Sequence, residues 1–171
     1  MLNQKIQDAL NEQIKNELYS AYLYLSMSAY CESVNMPGMA HWMRMQELEE
    51  RVHALKMFDF VHERGGRVVL QAIDQPPAGF ESLRDVFRET LAHEQKVTAM
   101  INSLYALAVQ EKDYASQIFL QWFVTEQVEE EDSVGQVIET LEMIGDSRQG
   151  LLMLDRELGG RAAPQTGRVQ V

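Results

Sequence analysis

Glutamates recur in register across the two halves of this chain. Glu50 follows Glu17 at the same interval at which Gln127 follows Glu94. His53 stands three positions after Glu50, and Glu130 stands three positions after Gln127. One constant offset therefore superposes the two sets, and it also carries Glu49 onto Glu126. Proteins rarely bury a carboxylate without a partner, so its repetition in two similar hairpins asks for a shared positive charge. Carboxylates joined by an imidazole inside a helical bundle are a means of holding a pair of divalent metal ions.

Helical periodicity gives the depth of these groups. Glu17 interrupts the apolar stripe Leu10, Ile14, Ala21, Tyr24 and Ser28. Glu94 interrupts Leu83, Phe87, Leu91, Val97, Ile101 and Leu104, while Gln127 and Glu130 interrupt Leu120, Phe123, Val134, Val137 and Leu141. Glu50 and His53 share a face with Met39, Met43, Met57 and Phe60. One glutamate on one such stripe is usually a boundary residue that reaches solvent. Four at one level are a different matter, because buried like charges repel and are costly to desolvate. No lysine or arginine stands on the stripes at that level, and two divalent cations would neutralise Glu17, Glu50, Glu94 and Glu130.

Oxygen-rich ligands with one imidazole suit iron or manganese better than structural zinc. His53 is mirrored by Glu130, so one metal position would have a nitrogen ligand and the other only oxygens, with Glu50 expected to bridge them. Glu49, Glu126 and Glu129 adjoin the cluster; they form either a solvated acidic face or a third, weaker cation position. Tyr24, two turns from Glu17, either packs and bonds a carboxylate or donates an electron to a redox metal. Trp122 reads as core, and His41, His62 and His93 as packing or surface residues.

Breakers define the elements that position these groups. Asn35, Pro37 and Gly38 mark a first turn; Gly65, Gly66, Pro76, Pro77 and Gly79 a long connection; Lys112 and Asp113 a short turn; Gly145, Asp146 and Ser147 a fourth. The segments between them, 4–33, 39–64, 82–111, 114–144 and 147–158, predict five helices, the last one short. Ser82 and Asp85 resemble a helix-capping pair. Short links make the first and second helices antiparallel, and likewise the third and fourth. The second helix would span about 40 Å. The connection from Gly65 to Glu81 reaches up to about 56 Å, enough to run the length of a bundle and leave the second and third helices parallel. The midpoint of 17 and 50 falls beside the first turn and that of 94 and 127 beside the third, so all four positions meet at one height. The expectation is an all-α four-helix bundle with one long crossover and a short fifth C-terminal helix, a domain over 1–160 and a mobile tail over 161–171.

Composition narrows the function classes. The 171 residues are 46% apolar and carry a net charge of −11, which disfavours nucleic acid as a partner and suits attraction of cations. No apolar run is long enough to span a membrane and no secretion segment opens the chain. The single cysteine, Cys31, fits a cytoplasmic location.

Glu17, Tyr24, the Glu49–Glu50 pair with His53, Glu94, and the block Glu126-Gln127-x-Glu129-Glu130 together resemble the non-haem bacterial ferritins, over roughly residues 1–160. That resemblance implies iron storage in a hollow shell of 24 subunits, with Fe²⁺ and O₂ as substrates of a ferroxidase reaction and ferric oxyhydroxide as the deposit. It implies that Glu17, Glu50 and His53 hold one iron, that Glu50, Glu94 and Glu130 hold a second with Gln127 beside it, that Glu49, Glu126, Glu129 and Glu130 form a third site, and that Tyr24 is redox-active. Bacterioferritins carry a histidine at the position of Glu130 and a haem-ligating methionine close to Val52, which argues against haem here; Met45 and Met57 are the methionines that flank that position. The stretch Ser116–Gln121 lacks the acids that line a three-fold pore in animal ferritins. The rivals are a non-mineralising di-iron or di-manganese oxidase, a bundle with structural metal, and a small-cage DNA-protecting relative; the short fifth helix argues against the last.

Overall fold

The computed structural model describes residues 2–164. Of the tail expected from 161, residues 165–171 lie outside that range. Five helices follow in order: α1 (Gln4–Ser33), α2 (Pro37–Glu63), α3 (Leu83–Gln110), α4 (Tyr114–Ile144) and α5 (Arg148–Leu158). Among the described residues there is no strand, and no helix is long and apolar enough to cross a membrane.

Side chains at the helix starts explain the boundaries. Asn3 accepts from the Lys5 amide, Ser82 from Asp85, Asp113 from Ser116 and Ser147 from Gly150, each satisfying an amide that the helix itself leaves unpaired. Asp85 in turn accepts from the Glu81 amide at 3.1 Å, so the expected Ser82–Asp85 pair is reciprocal but reaches back one residue further. α2 begins two residues earlier than the breakers suggest, because Pro37 occupies the first helical turn, where its missing N–H costs nothing. Met36 offers α2 no side-chain cap; Asp155 of α5 supplies it from far along the chain, its Oδ1 accepting from the Met39 amide at 2.9 Å.

The crossover climbs the bundle along α1. Arg67 N donates to Gln7 Oε1 at 2.8 Å, Asn11 pairs with the backbone of Arg67 and Val69, Ser26 donates to the Pro77 carbonyl, and Phe80 stacks edge-on against Tyr30. These contacts advance from the start of α1 to its end, so α3 starts at the end of the bundle opposite to where α2 finishes. α2 and α3 therefore run the same way, both antiparallel to α1.

The core lies in two apolar blocks. One holds Tyr24, Met27, Met39, Met43, Phe87 and Val134; the other holds Ile14, Met57, Val97, Ile101, Leu120 and Phe123. Between them lies a layer of buried Gln13, Glu17, Gln46, Glu50, His53, Glu94, Gln127 and Glu130. Trp122 is a correction to the sequence reading: it is 38% exposed rather than core. It sits on the outward flank of α4, its ring against His53 and Phe123 on one side while the Lys56 ammonium lies 3.6 Å from its centroid. An aromatic with an apolar inner edge and a cation over its face is stable at a rim.

Candidate metal centre

Four helices deliver one buried acid each to the polar layer: Glu17 from α1, Glu50 from α2, Glu94 from α3 and Glu130 from α4, all no more than 5% exposed. Each falls on its helix's inward stripe, so packing of the apolar residues above and below drives the carboxylates inward. One ligand atom from each of Glu17, Glu50 and His53 lies within 4.8 Å of the others, and the same holds for His53, Glu126 and Glu130. His53 Nδ1 stands 3.6 Å from Glu50 Oε2.

Glutamine amides orient the acids. Gln13 Nε2 donates to Glu17 Oε1 at 2.9 Å, Gln46 Nε2 to Glu130 Oε2 at 2.7 Å, and Gln127 Nε2 to Glu94 Oε2 at 3.1 Å. The Tyr24 hydroxyl donates to the other oxygen of Glu94. What remains is a set of orphans: Glu17 Oε2 and both oxygens of Glu50 are buried with no hydrogen-bond partner among the described residues. Native interiors satisfy nearly all buried polar atoms, so three bare carboxylate oxygens at one point call for a cation. Hard oxygen donors with one imidazole fit iron, which the donor set therefore accommodates.

The charges oppose one another without a cation between them. Burial, and then the negative charge of Glu50, raises Glu17 well above the ordinary carboxylate range; burial, and then Glu94, does the same to Glu50. Burial and Glu130 push Glu94 from the usual 4.5 up to about 7. Burial, and then Glu94, likewise raises the Tyr24 phenol well above its ordinary value, so Tyr24 stays protonated and acts as a donor.

A folded-state value above the unfolded one means that the native protein keeps protons the unfolded chain has already released. Stability of the metal-free protein is therefore greatest below pH 4.5 as far as these groups are concerned, and falls as pH rises toward 7. Urea midpoints of EDTA-treated protein should drop between pH 5 and pH 7.5, and a divalent ion should abolish most of the drop. A midpoint that rises over this range would contradict the assignment of buried, unneutralised acids.

Of the remaining residues singled out by sequence, Glu126 is half-buried and joins the group with His53 and Glu130. Glu49 is half-buried and paired with Arg161, and Glu129 is exposed and joins neither group. His93 is half-buried, bonds Ser20 at 2.8 Å and is lowered to about 4 by burial and Lys96; His41 bonds the Arg161 carbonyl; His62 is exposed against Phe58. Cys31 is buried, its thiol pushed up to about 12 by desolvation, which makes it inert. Sequence reasoning missed the orienting amides of Gln13 and Gln46. Their signal was present: both are polar residues on otherwise apolar stripes, four positions before Glu17 and Glu50.

Comparison with known proteins bears on this geometry. The family model described as a ferritin-like domain matches residues 7–144. The bacterial non-heme ferritin of Staphylococcus saprophyticus is 40% identical over 162 residues, covering 95% of this chain and 97% of that protein. That of Bacteroides fragilis is 41% identical over 161 residues, covering 94% and 100%. Among solved structures, an open pore ferritin from the archaeon Archaeoglobus fulgidus superposes with a TM-score of 0.94 at 49% identity, covering 95% of this chain and 100% of that one.

Proposed function

The chain belongs to the ferritin family, and on that premise we propose that it stores iron: it binds Fe²⁺ in the buried carboxylate layer, oxidises it with O₂ and deposits ferric oxyhydroxide inside a hollow shell of 24 copies in the cytoplasm. The observation that carries this reading is the convergence of the three unpartnered carboxylate oxygens of Glu17 and Glu50 with His53 in the buried centre of the bundle. One ferrous ion is held by Glu17, Glu50 and His53. A second is held by Glu50, Glu94 and Glu130, so Glu50, whose two oxygens are both free, is the bridge. Gln127 and Tyr24 fix the orientation of Glu94 and leave it little freedom to swing.

In the reaction each ferrous ion gives up one electron and dioxygen accepts them. The protein's part is to hold two ions close enough for one O₂ to draw on both, which avoids releasing a one-electron product. Oxidation raises the ionic charge and tightens binding to carboxylates. A weaker position on the inner flank, built from Glu126 with Glu49, Glu129 and Glu130, then gives ferric iron a route toward the interior. The acidic net charge of −11 concentrates cations at the surface.

Iron loading with size measurement tests the reading. Purified metal-free protein should elute as an assembly of 24 copies of the 19.6 kDa chain, and should go on taking up iron under air far beyond two ions per chain. A small oligomer that stops at two irons per chain would indicate a di-metal oxidase instead.

A further inference from the structure

The chain beyond α5 folds back to Glu49, on the flank proposed above for the weaker cation position. Gly38 and Gly159 make this possible. A side chain at Gly159 would stand 3.2 Å from the Gly38 Cα, so α5 crosses the start of α2 at backbone contact and directs residue 161 along α2. There Arg161 is held at three points. Its carbonyl meets His41 Nε2 at 2.9 Å, its guanidinium lies 4.6 Å from the centroid of the Trp42 ring, and its Nη2 bonds Glu49 Oε2 at 2.6 Å. Nη1 of the same guanidinium is buried without a hydrogen-bond partner among the described residues.

Glu49 is the acid that the sequence reading assigned to a third cation position, and a cation already sits on it. We propose that Arg161 is the resident counter-charge of this inner position: by holding Glu49 it withholds one carboxylate from incoming metal and so sets how weakly the position binds. The inference rests on the metal centre proposed above.

Charge and geometry agree. Glu126 and Glu130 group with His53 without Glu49; Glu130 and His53 already serve the paired site, so with Glu49 held by Arg161 the inner position is short of negative charge. Removing the Arg161 cation leaves the charge of Glu49 uncompensated and frees its carboxylate as a ligand. Each change strengthens cation binding, because Glu49 feels Glu126, Glu130 and His53 electrostatically. The guanidinium holds only one oxygen of Glu49 and leaves Nη1 unsatisfied, so the latch is incomplete; a bidentate, fully bonded pair would be harder to displace. Both partners are about one-fifth exposed, 21% for Arg161 and 20% for Glu49, which leaves room for the side chain to swing into solvent. Weak inner binding has a use in a storage protein: an ion leaving the paired site should pass the flank without being retained there.

Calorimetric titration of the assembled protein with Co²⁺, which is not oxidised by air under these conditions, tests the latch through binding alone. Wild type should bind two ions tightly per chain and a third more weakly. Arg161→Ala should tighten the third at least about tenfold, the scale expected for removing a unit charge a few ångströms away, with the first two altered less than about twofold. Arg161→Gln, which keeps bulk over Trp42, should give the same result, and Arg161→Lys should restore weak binding. In a Glu49→Gln background the effect of Arg161→Ala should vanish. A third affinity that stays unchanged or weakens in both neutral variants would overturn the inference, as would tightening that persists without Glu49. Absence of two tight ions in wild type would instead refute the metal centre itself, so the two failures are distinguishable.

Discussion

Replacing Glu50 by glutamine should reduce tight ferrous binding from about two ions per chain to one or none, and slow initial iron oxidation at least about 100-fold, equivalent to about 2.7 kcal/mol of transition-state stabilisation. The side chain keeps its shape, so packing between the two apolar blocks survives. What disappears is the anionic bridge: both Glu50 oxygens are free of protein hydrogen bonds, and the amide would present N–H donors toward the cations. Metal-free Glu50→Gln protein should be at least as stable as wild type near pH 7, because burial and the neighbouring Glu94 oppose the Glu50 charge. Loss of activity together with unreduced apo stability separates a ligand from a structural residue. Stopped-flow absorbance after mixing with ferrous salt reads the activity, anaerobic titration the binding, and urea unfolding of the metal-free protein the stability. Oxidation within about threefold of wild type would remove Glu50 from the centre.

The largest expected effect on stability lies elsewhere, at Gly38. A Cβ there would fall 1.6 Å from the carbonyl oxygen of Asp155 and 3.0 Å from its Cγ. The first obstacle is backbone, which no rotamer change relieves, so α5 must move away from α2. With it go the bond from Met39 N to Asp155 and the packing of buried Leu154 and Leu158. Gly38→Ala should therefore cost about 3 kcal/mol or more, although alanine is the better helix former by about 1 kcal/mol. That corresponds to a fall in melting temperature of roughly 6–12 °C for a chain of this size. Ferrous oxidation should survive well below the transition, because α1 to α4 carry every proposed ligand of the paired site. Thermal unfolding followed by circular dichroism checks this; a shift of less than about 2 °C, well under the expected scale, would mean that α5 is not seated as described.

Much of this architecture was legible in the sequence because its determinants are local. Proline-free segments between strong breakers marked all five helices, and the crossover's length dictated its path. The acidic layer was legible because each glutamate interrupts an apolar stripe at the same height. Local signals misled where one residue plays two parts: Pro37 ends a turn but also starts a helix, since the first turn needs no amide from it. Trp122 lies next to Phe123 in sequence yet belongs to the rim: one position turns the helix by about 100°, off the stripe of Leu120, Phe123 and Gln127, and it was the size of the apolar ring that misled. Contacts between distant segments were not legible at all. Asp155 caps α2 across 116 residues and Arg161 reaches Glu49 across 112, and nothing near either residue announces its partner. Gln13 and Gln46 fall between these cases: their place on apolar stripes was visible, and Gln13 orients Glu17 one turn along its own helix, but that Gln46 orients Glu130 depends on how α2 and α4 meet.

On this account the buried acids of four helices jointly hold two ferrous ions. Metal-free crystals soaked in ferrous salt without oxygen, with diffraction collected on both sides of the iron absorption edge, test that most directly. Two anomalous peaks per chain are predicted, one among Glu17, Glu50 and His53 and one among Glu50, Glu94 and Glu130. A centre that stays empty while iron decorates only surface carboxylates would contradict it.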